Sequence, residues 1–509
     1  MSNAWLVAAF IGAVVAALFA FLRANKRHGH RGLPGFPELP VLGAALEIPI
    51  DKLPWKFVDL VRSTQFGNVA FSVLNQSVLI SCNADDAEVI LQSGFDKFHK
   101  GSDFQQAFSE LLGNGIFVTD GEAWKDNRRA AAHLFATGKL KTFQQDVFAR
   151  DARVLADVLE AKARDGVDFD LQPLFYALTF DSFCDLALGV SFDSMQEVAR
   201  TNARPEFLRA FDDLTIKCGN RFFRPLWKLE RLLNFGEEAA IKRDAAIVRD
   251  IVEQLAARIL SLSADEVDAR DDLLSMFTVY CRKNRDTPAS KAELCDLTAN
   301  MILAGRDTSA SSLTSLFRLL HHHPAVRDRL EAEIDRLTAG CDENEPLTYE
   351  RLKEFAFLDA VVMETLRLFP PVAADMKMCI ESCTLPSGLH VEKGDMIYYY
   401  VMGIQRNPLY WTDGELFKPE RWIDKTDVAL KMPESKQPFV FPAFNAGPRL
   451  CLGKRMALLE IKNAVVTLVR RRLRFEMSDK DDDLFSWKCW TSSAVISLKR
   501  GLHGRILRR

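Results

Sequence analysis

The chain has 509 residues, of which 48% are hydrophobic and 27% charged, and its formal net charge is -3. That balance supports a large folded core, excludes a disordered chain, and supplies no bulk positive charge for nucleic-acid binding. Ten cysteines are dispersed without a CxxC pair or a regular framework, which points to reduced thiols on the cytosolic side rather than a disulfide scaffold.

Residues 4 to 22, AWLVAAFIGAVVAALFAFL, carry no charge. At about 1.5 Å per residue such a helix reaches the thickness of a bilayer's hydrocarbon core. Arg23, Lys26, Arg27 and Arg31 follow it, and the positive-inside bias leaves everything beyond in the cytosol. The expectation is a transmembrane signal-anchor over 1–24, a basic and proline-rich hinge over 25–43 (LPGFPELPVLG at its end), and one catalytic body over 44–509.

Within the body, VAFSVLNQSVLISC (69–82) predicts two strands around an NQS turn, and DAEVILQSG predicts a short helix stopped by Gly94. From about 120 to 340 apolar residues recur at three- and four-residue spacing, which predicts helices. The longest is KAELCDLTANMILAGRDTSASSLTSLFRLLHHH, apolar enough to run through the middle of the protein. YERLKEFAFLDAVVMETLRLFPP (349–371) predicts one helix ending at the double proline. Residues 376 to 402 alternate as short strands, a last helix covers about 453–470, and DKDDD (479–483) is a solvated turn. The fold class is mainly α with small β-sheets at one side, in a body with no internal boundary.

Four stretches are each weak alone. EAWKDNRR places Trp124 and Arg128 on one helix face, offering an indole N–H and a guanidinium fork to an anion. AGRDTS puts Ala304 and Thr308 on one face of a buried helix, where the hydroxyl can bond a carbonyl one turn back and open the helix locally; Asp307 beside it is a carboxylate that needs a reason to be there. METLR pairs Glu364 with Arg367, and FKPERW contributes Arg421. The fifth, FNAGPRLCLGK (444–454), is more specific. A thiolate bound to a flat iron macrocycle needs close backbone approach, which Gly447 and Gly453 allow. Backbone N–H groups at the start of the following helix can hold the charge of Cys451. Arg449 can meet a propionate, and Phe444 can cover the ring. Cys451 is therefore read as a metal-bound thiolate.

Taken together and in this order, the stretches resemble the cytochrome P450 family of heme-thiolate monooxygenases. The resemblance covers essentially the whole chain and implies the cytochrome P450 fold with heme b as cofactor. It implies that Cys451 is the axial ligand, that Trp124, Arg128 and Arg449 contact the propionates, and that Ala304, Phe444, Gly447 and Gly453 line the heme. It further implies that Glu364, Arg367 and Arg421 form an internal charged triad, and that Asp307 and Thr308 are the acid–alcohol pair that delivers protons during O2 activation. Lys377 stands near a frequent basic propionate partner.

GNGIFVTDGEAWKDNRR, RFFRPLWKLERLLNFGEE and the arginine in AGRDT look like the fatty-acid ω-hydroxylase group of plants and microbes. A P450 acting on an alkane, sterol or xenobiotic is the alternative, and a non-catalytic membrane heme protein the third reading. No GxGxxG fingerprint is present, so electrons come from a separate protein, which the resemblance implies is NADPH–cytochrome P450 reductase at the endoplasmic reticulum membrane. Lys125, Arg129, Lys436, Lys454 and Arg455 are candidates for its docking face.

Overall fold

Helices carry most of the chain in the computed structural model, which describes residues 12, 32–38, 43–44, 53–73, 76–135, 138–224, 226–478, 489–492 and 494–509. The apolar segment 4–22 (residue 12 apart), most of the basic stretch after it and the DKDDD turn lie outside the described residues. Among the described residues no helix is long and apolar enough to cross a membrane.

The helices that frame the site are α1 (Leu53–Ser63), α2 (Gly121–Phe135), α3 (Gly138–Asp165), α4 (Gln172–Leu188), α5 (Glu206–Asn220), α6 (Trp227–Leu233), α7 (Glu237–Leu260), α8 (Lys291–His322), α9 (Ala356–Leu368) and α10 (Lys454–Arg470). The longest, α8, starts at a capping box: the Ser290 hydroxyl accepts from the Glu293 N–H, and Glu293 accepts from the Ser290 N–H at 2.9 Å. It then enters the core and crosses α4, which is itself buried on most of its surface. The crossing closes at Gly305, where a Cβ would lie 1.9 Å from the Phe183 ring. Hydroxyls along α8 are satisfied by carbonyls one turn back, Thr298 to Leu294, Thr308 to Ala304 and Thr314 to Ala310. The expected local opening at 304–308 does not occur: α8 remains helical throughout, because these bonds are made without displacing the ladder.

The single helix expected over 349–371 is two. Tyr349–Leu352 forms one turn, the buried Phe355 leaves helical geometry, and α9 begins at Ala356. Glu333, from the neighbouring helix Pro324–Leu337, accepts the N–H groups of Phe357 and Leu358 at 2.8 and 3.0 Å. That outside carboxylate satisfies α9's free donors and fixes its start.

The strands are β1 (Val69–Val73), β2 (Gln76–Ser81), β3 (Phe98–His99), β4 (Phe169–Asp170), β5 (Asp375–Cys379), β6 (Cys383–Thr384), β7 (His390–Val391), β8 (Met396–Tyr399), β9 (Leu473–Met477), β10 (Trp490–Ser492), β11 (Ile496–Leu498) and β12 (His503–Arg508). The largest sheet has the order β1-β2-β8-β5-β3, so two segments some three hundred residues apart in the chain share one layer. Its β1–β2 hairpin pairs Val73 with Gln76 and Ser72 with Ser77, so the two expected strands form but Gln76 and Ser77 of the expected NQS turn belong to β2, and β2 runs parallel to β8. The proline-rich segment is stitched to this sheet: Ala70 N–H donates to the Pro34 carbonyl at 3.0 Å and Ala44 N–H to Ser72 O at 2.7 Å. A smaller sheet, β4-β12-β9, ties the C-terminus to the helical part.

Candidate active site

Cys451 lies on a loop locked from two sides. Its N–H donates to the Phe444 carbonyl at 2.8 Å. Gly447, at φ +60, brings the loop against the 84–93 helical segment so closely that a Cβ would fall 2.0 Å from the Leu91 carbonyl. No side chain fits there, so glycine is required by contact as well as by φ. Most of the ten cysteines are buried or half-buried; Cys341 and Cys451 are the exposed ones. Burial pushes the Cys218 thiol up to about 12 and Cys82 higher still. Burial among the loop atoms also raises Cys451, but there the Gly453 N–H, the Arg128 charge, the Lys454 N–H and the Lys454 charge oppose it. Cys451 is the thiol supplied with donors for a thiolate while part of its surface stays open. A Cβ on Gly453 would stand 3.9 Å from its sulfur, so the glycine leaves that side of the sulfur clear.

Trp124, Arg128 and Arg449 converge beside this loop. Arg128 Nη2 donates to the Leu450 carbonyl at 2.5 Å, and the Arg449 guanidinium stacks on Trp124 at 4.7 Å from the ring centroid. Arg449 also donates to Asp120 at 2.9 Å and to the Thr119 carbonyl at 2.8 Å. Burial lowers both arginines' pKa, with Cys451 acting against it at Arg128 and Asp120 at Arg449. Phe444 is half-buried, with Lys454 Nζ over its ring at 5.3 Å. Lys377 is buried and reaches Asp375 at 3.1 Å. Burial pushes it down to about 7, against the pull of Asp375. Asp375 in turn pairs with Lys100 and accepts from the Tyr399 hydroxyl at 2.6 Å. Sequence reasoning missed Lys100, Asp120, Asp375 and Tyr399: Asp375 and Tyr399 read as ordinary residues of β5 and β8, and Lys100 and Asp120 lie in connections, just after β3 and just before α2.

Glu364, Arg367 and Arg421 meet inside the protein. Arg367 grips Glu364 through Nε at 2.8 Å and Nη2 at 2.9 Å, and Arg421 Nε reaches it at 3.0 Å. Trp422 Nε1 and Lys418 N–H add two more donors at 2.9 Å each. Burial alone would raise Glu364; Arg367 and Arg421 more than cancel it and hold the carboxyl below its ordinary value. The remaining Arg367 donors go to the carbonyls of Gln405, Gly414 and Leu416. The triad therefore knots α9 to the 405–422 loop, and its ion pairs are buried rather than solvated.

On α8, every residue from 298 to 316 is buried except Ala304 and Thr308, which are half-buried. These two, a turn apart, are the places where that core-spanning stretch meets accessible space. Asp307 and Arg306 point elsewhere: both are buried, and Arg306 Nη1 donates to Asp307 at 3.0 Å. Among the docking candidates, Lys125 is paired with Glu122, Arg129 with Asp126 and Lys436 with Glu88. Lys454 and Arg455 make no ion pair among the described residues.

The fold and this loop define a single-thiolate protein, and the residues fit a heme. The donor set is one sulfur ligand with N–H support, Gly453 leaves one side of it clear, Gly447 seats its loop, and two cations and an indole gather at one side. The family model for cytochrome P450 matches residues 33–498, and the chain belongs to that family: it is a heme-dependent monooxygenase that uses O2 and a redox partner. It is similar to cytochrome P450 704C1 of Pinus taeda, 33% identical over 413 residues, 77% of this chain and 78% of that one. It is 31% identical to cytochrome P450 94B3 of Arabidopsis thaliana over 483 residues, 92% of each chain. In fold it matches the crystal structure of the cytochrome P450DA heme domain with a TM-score of 0.77 at 18% identity, covering 94% of this chain and 98% of that one.

Proposed function

We infer that this monooxygenase hydroxylates fatty acids at or near the chain end, receives its electrons from NADPH–cytochrome P450 reductase, and works at the endoplasmic reticulum membrane facing the cytosol. Arg306 carries the substrate class. It is the residue through which AGRDT resembles the fatty-acid hydroxylase group, and its charge is consumed inside the protein by Asp212 and Asp307. The accessible face of α8 is then Ala304 and the Thr308 side chain, a methyl and a hydroxyl with no charge to reject an aliphatic chain.

When bound, heme supplies the oxygen chemistry: one atom of O2 enters a C–H bond and the other leaves as water. The protein's own residues hold and orient it. Cys451 is the ligand, stabilised by the N–H groups of Gly453 and Lys454; Trp124, Arg128 and Arg449 are placed for the propionates; Thr308 and Asp307 move protons.

The charge-free segment 4–22 followed by four basic residues supports membrane attachment. So do Leu229, Leu232, Leu233 and Phe235 in and just after α6, each more than half exposed, next to Lys228 and Arg231. Lys454 and Arg455, beside the thiolate loop, are the cations best fitted to an acidic redox partner.

A substrate-binding difference spectrum with medium- and long-chain fatty acids, followed by product analysis with reductase and NADPH, tests the reading. A low-to-high-spin shift and a hydroxylated acid are expected. A shift with alkanes or sterols and silence with every acid would replace the substrate class.

A further inference from the structure

Arg306 is fully buried, and its guanidinium is shared by two carboxylates. Nη1 donates to Asp307 Oδ1 at 3.0 Å and also to Asp212 on α5; Nη2 donates to Asp212 Oδ2 at 3.3 Å. Its Nε has no hydrogen-bond partner among the described residues. Arg204, about half exposed in the turn before α5, pairs with the same Asp212. From α4, Tyr176 lies under the guanidinium at 5.0 Å and Cys184 also faces it. These are the charged and titratable groups around Asp307.

Charge counting separates the two acids. Asp212 meets two guanidinium groups and keeps 15% of its side chain in contact with solvent, whereas Asp307 is buried and meets one cation that it must share. One buried cation stabilises one anion; a second carboxylate at the same cation is cheaper with a proton on it. Burial pushes the Asp307 carboxyl up to about 7; Arg306 opposes this and Asp212 adds to it.

We propose that Asp212 is a positioning residue for oxygen activation: by engaging Arg306 it prevents Asp307 from becoming that guanidinium's sole ion-pair partner, and so leaves Asp307 free to pass a proton toward Thr308. The overall reaction is RH + O2 + 2 e⁻ + 2 H⁺ → ROH + H2O, with electrons from the redox partner and protons from solvent. Asp307 gives one proton, regains one from solvent and ends unchanged. Because Asp212 sits on α5 and Asp307 on α8, a shift of α5 away from α8 removes the competitor and locks the acid as an ion pair. The inference rests on the monooxygenase chemistry and is independent of which lipid is oxidised.

The test is an infrared titration of the holoenzyme's protonated-carboxyl band, assigned by its loss in Asp307→Asn. The wild-type midpoint is expected near 7. In Asp212→Asn it should fall by about one unit or more, and hydroxylated product per NADPH consumed should drop severalfold; Asp212→Glu should retain both. Arg204→Ala, a change at a half-exposed side chain, gives Asp212 wholly to Arg306 and should move the midpoint upward. An unmoved midpoint in Asp212→Asn overturns the proposal, as does a lowered midpoint with undiminished coupling. Should Asp212→Asn fail to fold, an unmoved or falling midpoint in Arg204→Ala overturns it equally. The infrared arm uses no substrate, so its outcome is separate from that of the fatty-acid panel.

Discussion

Two buried acids, Glu364 on α9 and Asp307 on α8, meet arginine in opposite ways. Glu364 receives two arginines, an indole N–H and a backbone N–H, and its carboxyl is held down as an anion. Asp307 shares one arginine with a competitor and is pushed up to about 7 by burial. The same residue types give a fixed charge in one place and a movable proton in the other. The difference lies in the ratio of cations to carboxylates, not in burial, which is nearly complete for both. Matched charge is architecture; a surplus carboxylate is available for chemistry.

The largest expected effect lies outside both clusters and anchors the comparison. Cys451→Ser should abolish the sulfur-ligated Soret band of the reduced carbon monoxide complex and all oxygenation. A variant that kept that band would mean that Cys451 is not the heme ligand. Next is Glu364→Gln, which leaves Arg367 and Arg421 buried without their anion and should cost about 3–5 kcal/mol in chemical unfolding. A loss below about 1 kcal/mol would remove the idea that this charge is structural.

A third acid sharpens the contrast. Glu460 on α10 is buried, accepts from the Ser309 hydroxyl, and has one oxygen without a partner among the described residues. Burial pushes its carboxyl up to about 8 from an ordinary 4.5, against the Ser309 bond, with nearby Asp151 adding to the rise. The folded state thus binds a proton that the unfolded state releases. The stabilisation is complete below pH 4.5 and is lost as pH rises through about 8. Glu460→Gln should match the wild type near pH 5 and exceed it by a few kcal/mol, on the order of 1.4 per pH unit, toward pH 8. Parallel unfolding curves at the two pH values would show that Glu460 is ionised and matched like Glu364.

The smallest effect is at the surface. Lys454→Glu with Arg455→Glu should raise the KM for reductase several-fold and weaken its salt dependence, while Lys125→Ala, already paired with Glu122, changes it little. Equal effects from both sites would mean that internal pairing does not remove a cation from the docking face.

Much of the site was legible because its chemistry is local in sequence. Gly447, Arg449, Cys451 and Gly453 fall within seven residues, and Glu364 with Arg367 within four, so these motifs stand out in the sequence, and their order along the chain carries the resemblance that gives them roles. The long core helix was readable from its apolar period, whereas its Ser290–Glu293 cap emerged only in the structure. What escaped was set by distant partners. Phe355 interrupts the 349–371 pattern because Glu333 caps α9 from another helix. Asp212 lies 94 residues before Arg306 on an amphipathic helix where an aspartate is unremarkable. Asp375 reads as a strand residue until Lys100 arrives from 275 residues away. Trp124 and Arg128 occupy the middle ground: their shared face is plain, but their proximity to Leu450 and Arg449 is a tertiary fact.

The seam between the proline-rich segment and β1 has a mechanical consequence. Pro34 receives the Ala70 N–H and Glu38 the Ser72 N–H at 2.6 Å, so a pull on the chain upstream of residue 33 is transmitted into the outer strand of the five-stranded sheet. The loop that holds Cys451 belongs to the far end of the polypeptide and bears on the 84–93 segment instead. That segment follows directly on β2, the partner of β1, so the edge strand that takes up such a pull lies one strand away from the seat of the Cys451 loop.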